Sequence, residues 1–331
     1  MPSTIGRTGM PPGVDILRQL GEWLDAGNCR KVLDWYRAAP ATWLVENPEA
    51  SVLVATAAAR TGDYETATEV ATQARDVLES IGDLLNLFRA LNVLGGVGLE
   101  RGRLPDAWQY YERAHAIAYQ LGDPTLLARV TMNMASVRHL RGDGWAAERL
   151  YARALAWFDS IADKRGQAQV HQNLSTVARE AGRFEAALAA ASRAVGLAEH
   201  VGDPGLIGMA LASRTEAELA VGQLDQQANL DRAKALAAQA GDAFGQVDVE
   251  RLEAAWHLAL GRPNQAVEAA EAARRGAKRL GTLVSRGECA AIGAQAFRAA
   301  NQPLLAEARD DEAQLLAELL GTTAGGSARS G

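Results

Sequence analysis

Apolar residues recur along this chain at intervals of three and four, as in Leu87, Leu91, Leu94 and Val97, a spacing that puts one greasy stripe on an α-helix. Glycine cuts each such run. It falls at Gly62, Gly102, Gly142, Gly182, Gly222 and Gly261, with Asn301 next, so the steps are 40, 40, 40, 40, 39 and 40 residues. A second series, Gly82-Asp83, Gly122-Asp123, Ala162-Asp163, Gly202-Asp203, Gly241-Asp242 and Gly281-Thr282, lies midway between the first. Two breaks per period predict two helices per repeat. A fixed period of this length marks a solenoid, in which each unit hides its apolar face only against its neighbours. The predicted fold class is therefore all-α: a solenoid of about eight antiparallel helix hairpins over residues 15–321. Residues 1–14 and 322–331, rich in Gly, Pro, Ser and Thr, are expected to be flexible tails.

The helix starts carry their own markers. In Asp123-Pro124 and Asp203-Pro204 a carboxylate can accept from the free N–H groups and a proline stands where no N–H is missed. Asp83, Asp163 and Asp242 are placed to cap likewise. Alanine follows the first glycine series by five residues, at Ala67, Ala107, Ala147, Ala187, Ala266 and Ala306. A second set, Ala74, Ala114, Ala154, Ala194, Ala273 and Ala313, comes seven residues later, with Ala233 one residue early. Both sets predict close approach of the second helix to the first.

On these residues the chain resembles the tetratricopeptide repeat family in its long-period bacterial form, a resemblance that implies a right-handed superhelical solenoid. Repeat three has Leu94-Gly95, Ala107, Tyr111 and Ala114, and repeat four has Met134-Ala135, Ala147, Tyr151 and Ala154. Repeats two and five put Ala71 and Ala191 where the family has an aromatic. Upstream, Leu24-Asp25-Ala26-Gly27, Val32, Tyr36, Pro40 and Pro48 outline an atypical first hairpin with a proline-framed link. That segment resembles the entry to the helical-repeat domain of LuxR-type ATP-dependent activators, although no Gly-x-x-x-x-Gly-Lys-Ser/Thr occurs here.

Residues offset from the core stripe of each first helix form a second stripe. In repeat three it holds Arg89, Asn92, Val93, Gly96 and Glu100; in repeat four, Arg129, Met132, Asn133, Ser136 and His139; in repeat five, Gln169, Gln172, Asn173, Thr176 and Arg179. The resemblance implies that this stripe lines a concave groove holding an extended or helical peptide. Asn133 and Asn173 stand in register, and an amide can grip a ligand backbone whatever the ligand's side chains. The binding residues expected from this stripe are Arg89, Asn92, Arg129, Asn133, Ser136, His139, Gln169, Gln172, Asn173, Thr176 and Arg179. The family's clamp for chaperone C-termini, Lys, Asn, Asn, Lys and Arg, is met here by Asn92, Gly96, Asn133, Gln169 and Asn173. Only Asn133 matches, so that ligand is not expected.

Composition narrows the class further. The net charge of −6 and a pI near 5.5 argue against a nucleic-acid partner, which needs a basic footprint. Charge is nevertheless uneven. The first helices of repeats three to five are net positive, through Arg89, Arg129, Arg138, Arg179 and others, while Glu216, Glu218, Asp248 and Glu253 reverse the sign in the next two. A polarised groove follows, favouring a partner that is acidic at repeats three to five and binds less tightly as salt rises. Cys29 and Cys289 are too far apart in sequence to suggest a disulfide framework, and no apolar run suits a signal or a membrane span, so a cytoplasmic location without membrane attachment is expected.

Catalytic chemistry is not indicated. His115, His139, His171, His200 and His257 are scattered without metal-ligand spacing, Asp310-Asp311 reads as a solvated helix face, and no nucleophile elbow occurs. No catalytic residue, metal or cofactor is expected. Trp108 and Trp145 lie beside a turn and are candidates for an edge contact or self-association. The expected function is a non-enzymatic adaptor for a protein or peptide segment. The alternative is a ligand- or peptide-sensing module of a bacterial transcription or signalling system.

Overall fold

The computed structural model describes residues 15–320, without the side chains of Ala41 and Thr42. The tails expected over 1–14 and 322–331, and residue 321, lie outside the described residues. Helices are the only regular structure among the described residues, which fall into two compact units, 15–99 with 105–122 and 100–104 with 123–320.

The first unit begins with α1 (Ile16–Asp25) and α2 (Cys29–Ala38), followed by α3 (Ala41–Glu46), α4 (Pro48–Arg60) and α5 (Tyr64–Ile81). Most of α6 (Leu84–Glu100) and of α7 (Leu104–Leu121) also belongs to it. The link expected between Pro40 and Pro48 is itself helical, because α3 turns Trp43 in against Trp35, with ring centroids 5.2 Å apart. Leu20, Val32, Val54, Tyr64, Leu94 and Val97 share one buried cluster there. Gly95 on α6 is needed for close approach. A Cβ at that position would stand 2.5 Å from Tyr111 Cε1 on α7, well inside van der Waals contact.

The second unit holds five hairpins: α8 (Pro124–Leu140) with α9 (Gly144–Ser160), α10 (Lys164–Glu180) with α11 (Phe184–Val201), α12 (Pro204–Ala220) with α13 (Gln227–Ala240), α14 (Ala243–Ala259) with α15 (Pro263–Leu280), and α16 (Leu283–Ala299) with α17 (Pro303–Leu320). Each first helix also packs on the first helix of the next hairpin, α8 on α10, α10 on α12, α12 on α14 and α14 on α16. That stacking makes a continuous inner layer within the unit.

The repeat markers act as their chemistry requires. Every glycine of both series has positive φ, between 64° and 80°, a conformation that costs other L-residues about 1–2 kcal/mol. Ala162 and Asn301 take the same conformation without being glycine, at φ 53° and 57°. The caps close as expected: Asp123 Oδ1 accepts from Thr125 N at 2.8 Å and Leu126 N at 3.2 Å, Asp203 Oδ1 from Leu206 N at 2.8 Å, and Asp242 Oδ1 from Gly245 N at 3.0 Å. Both alanine sets are buried, save Ala313, which is half-buried. Repeat six absorbs its missing residue before its second helix. There α13 starts only at Gln227, and Trp256 Nε1 on α14 donates to the stranded Leu224 carbonyl at 2.7 Å.

On the last helix Asp310 and Asp311 are exposed, as expected of a solvated face, but other charged residues of the helix turn inward. Arg309 and Glu312 enter a network with Glu271 and Arg274 of α15, while Leu304, Leu315 and Leu319 are 79%, 57% and 57% exposed.

Candidate functional site

The inner layer of the second unit carries a groove. A cavity of about 660 Å³ runs over α10, α12, α14 and α16, a size usual for ligand sites. Its lining follows the sequence period: Thr176, Glu216, Ala255 and Gln295 occupy one station at steps of 40, 39 and 40 residues, and Gln172, Arg251 and Ala291 occupy another. Of the expected binding residues, Gln172, Thr176 and Arg179 line this cavity. The stations in the three later repeats fall outside the expected set, although extending the register through the 39-residue step reaches them.

The remaining expected residues are placed as follows. Gln169, Gln172 and Asn173 are half-buried on α10, and their side-chain amides bond to no other described residue. Thr176 Oγ1 donates to the Gln172 carbonyl at 3.4 Å. On α8, Arg129 is exposed and Asn133 half-buried. Ser136 Oγ is 3.0 Å from Tyr151 Oη and 3.3 Å from the Met132 carbonyl, so its hydroxyl is engaged within its own hairpin. Burial pushes the Tyr151 phenol up to about 12, against the Ser136 bond, which lowers it. His139 Nε2 meets Glu180 Oε2 at 2.8 Å, and that bond, more than it is offset by burial, holds the Glu180 carboxyl below its ordinary value. Arg89 and Asn92 lie on α6 in the first unit, where Arg89 donates to Asn86 Oδ1 at 3.0 Å and helps line a cavity of about 340 Å³ with Leu17, Glu49 and Leu53.

The groove is crossed by a chain of charges that the sequence did not reveal. Glu216 Oε1 on α12 lies 3.4 Å from Arg179 Nη2 on α10 and 3.0 Å from Arg251 Nη1 on α14. Arg251 also meets Asp248 at 2.6 Å and Glu288 on α16 at 3.6 Å. Burial alone would lower the Arg251 pKa, but Asp248, Glu216 and Glu288 raise it above its ordinary value. Two arginines and four carboxylates, Glu180, Glu216, Asp248 and Glu288, line the cavity, so this stretch carries a surplus of negative charge. The positive excess counted along α10 is therefore partly neutralised by carboxylates from the next repeats.

Other candidate chemistry is sparse. No group of three or more His, Cys, Asp and Glu side chains among the described residues could hold a metal. Both cysteines are free and buried, and burial pushes the Cys289 thiol up to about 12. No described helix is long and apolar enough to cross a membrane. Trp145 is 69% exposed, with the Arg149 guanidinium 4.7 Å from its ring centroid, whereas Trp108 is half-buried.

Comparison with known proteins agrees with this geometry. Residues 126–200 match the family model for the tetratricopeptide repeat. No curated protein matches the sequence. Among solved structures, the Rap conjugation gene regulator of the plasmid pLS20, in complex with the Phr* peptide, aligns with a TM-score of 0.66 at 12% identity, covering 95% of this chain and 98% of that one. Aspartyl phosphate phosphatase F from Bacillus subtilis aligns at 0.64 and 13% identity, covering 97% and 88%. A signal transduction ATPase with a tetratricopeptide repeat sensor from Pyrococcus horikoshii aligns at 0.57 and 15% identity, covering 93% of this chain and 49% of that one. Identities this low establish shared fold alone. The chain is a helical-repeat protein of tetratricopeptide fold, and residues 126–200 carry the tetratricopeptide repeat itself.

Proposed function

We propose that this protein binds a peptide or a protein segment along the inner face of its second unit and acts by binding, without a catalytic step of its own. The observation that carries the reading is the row of half-buried amides at Gln169, Gln172 and Asn173. They are partly shielded from water, lack internal partners among the described residues and stand beside or within the lining of the cavity over α10 to α16. Amides so placed favour a ligand backbone that supplies the missing donors and acceptors. Arg129 and Asn133 extend the face on α8, and Ser136 and His139 bound it. Polarity follows from the lining: an acidic stretch of the ligand suits Arg129, and a basic one suits the carboxylates over α12 to α16. Arg89 and Asn92 are proposed as contacts of the first unit. We take residues 15–321 as one repeat domain with a cytoplasmic setting.

A sensing role is the second reading. It is favoured by the named partners of the structural neighbours, a peptide bound to the pLS20 regulator and a repeat sensor joined to an ATPase.

Selection of linear peptides from a random displayed library against the purified chain tests the binding reading. Peptides that bind should lose affinity at least about tenfold when Gln172 and Asn173 are both changed to alanine, with helicity and melting unchanged. Recovery of no binder, or of binders indifferent to those changes, would sink it. A further change of Asn133 to alanine, and titration at rising salt, separate the amide row from the polarity argument.

A further inference from the structure

The second residue after a turn glycine opens the second helix of most hairpins: Tyr64, Leu104, Phe184, Pro263 and, after Asn301, Pro303, with Leu224 at the same station ahead of the late-starting α13. Repeat four alone has Gly144 there. In the first two of these repeats the station is filled and dry, with Tyr64 4% and Leu104 2% exposed, and Tyr64 shares a cluster with Leu94 and Val97 of the following helix. Eighty residues on from Val97 stands Val177, and it has no ring from this station against it: a Cβ at Gly144 would lie an ordinary 3.6 Å from Val177 Cγ1. The bulk has slipped by one residue to Trp145. One residue is about 100° of helix rotation, which carries the indole away from the hole and leaves it 69% exposed.

The result is a cavity of about 510 Å³ with Gly142, Gly144 and Val177 on its walls and Trp145 at its margin. Two polar pairs frame it, the His139–Glu180 hydrogen bond at 2.8 Å and the Arg183–Glu148 ion pair. Glu180 also lines the groove, which makes the two cavities neighbours at the turn edge of the inner face.

We propose that the cavity at Gly144 is a docking pocket for an aromatic side chain carried by a partner protein segment, which supplies in trans the ring that Tyr64 supplies in cis. Ala181, exposed over the buried Val177, gives the apolar wall that accepts the ring. Trp145 offers an exposed aromatic neighbour for edge or offset stacking, and the polar frame can bond the backbone on either side of the anchor. This pocket does not depend on a peptide filling the groove.

The probe is N-acetyl-tyrosinamide or N-acetyl-phenylalaninamide, titrated into the isotopically labelled chain while backbone amide resonances are followed. The aromatic amides should shift Gly142 and Val177, N-acetyl-glycinamide should not, and Gly144→Phe, which fills the hole from within, should reduce apparent affinity by more than about tenfold. Trp145→Ala serves as a second variant outside the core and should weaken the same shifts. Absence of shifts at these amides, or shifts that survive both variants, overturns the proposal. A concentration-dependent dimer that dissociates in Gly144→Phe also overturns it, since the occupant would then be a second copy of this chain. Neither result bears on the groove, because the amino-acid amides are read at Gly142 and Val177 and the groove peptides at Gln172 and Asn173.

Discussion

Arg251 on α14 donates from Nη1 to Glu216 Oε1 on α12 at 3.0 Å, and that oxygen also lies 3.4 Å from Arg179 on α10. One carboxylate thus ties three successive inner helices. The side chains of Glu216 and Arg251 are only 19% and 16% exposed, so the bond is sheltered from the screening that makes surface pairs weak. Glu216→Gln keeps the shape and removes the charge. It should cost about 1–3 kcal/mol, read as a lower urea midpoint; an unchanged midpoint would show that Asp248 suffices for Arg251.

Ala162 holds a left-handed backbone where five other repeats use glycine. Relief of that strain should make Ala162→Gly more stable by about 1 kcal/mol, although glycine loses more entropy on folding. The equivalent change at Asn301, φ 57°, should give less, because asparagine tolerates this region. Thermal melting of the two variants side by side checks the order.

Gly95 faces Tyr111 with no room for a methyl group. Gly95→Ala should destabilise by about 1–3 kcal/mol through forced movement of the ring. Adding Tyr111→Leu should recover part of that loss. Equal effects of the alanine with and without the tyrosine would show that the close approach is not the cause.

Tyr151 sets an alkaline limit. Its phenol is raised to about 12 by burial, against an ordinary value of 10.0, so the unfolded chain ionises first. The stability this group contributes is fully present below pH 10.0 and is lost as pH rises towards about 12, by linkage. Tyr151→Phe removes the titration and the Ser136 bond together. Its stability should therefore be lower at neutral pH and flatter above pH 10.0 than that of the parent, measured by urea unfolding across the alkaline range.

The backbone was far more legible in the sequence than the site. Turn glycines, capping aspartates and the two alanine sets act within one hairpin, and local chemistry repeated at a fixed period is visible without coordinates. The Arg179, Glu216 and Arg251 chain joins residues 37 and 35 positions apart, and no local rule pairs them. Charges counted along α10 alone add up to a positive face, whereas the next repeats fold carboxylates onto it. The hole at Gly144 is also a matter of register: glycine there reads as a helix start until the buried Tyr64 and Leu104 are laid beside it. The exposed leucines of α17 were masked by the acidic residues interspersed among them.

The segment ahead of α13 shows what the stack tolerates. One residue is missing, α13 begins late, and the Trp256 bond to the Leu224 carbonyl seals the gap so that every later station returns to phase. Error in the length of a unit is thus confined to one seam and does not accumulate along the array. Whole hairpins bounded by left-handed turns can accordingly be added or removed, lengthening or shortening the array in steps of one unit while the remaining stations keep their alignment.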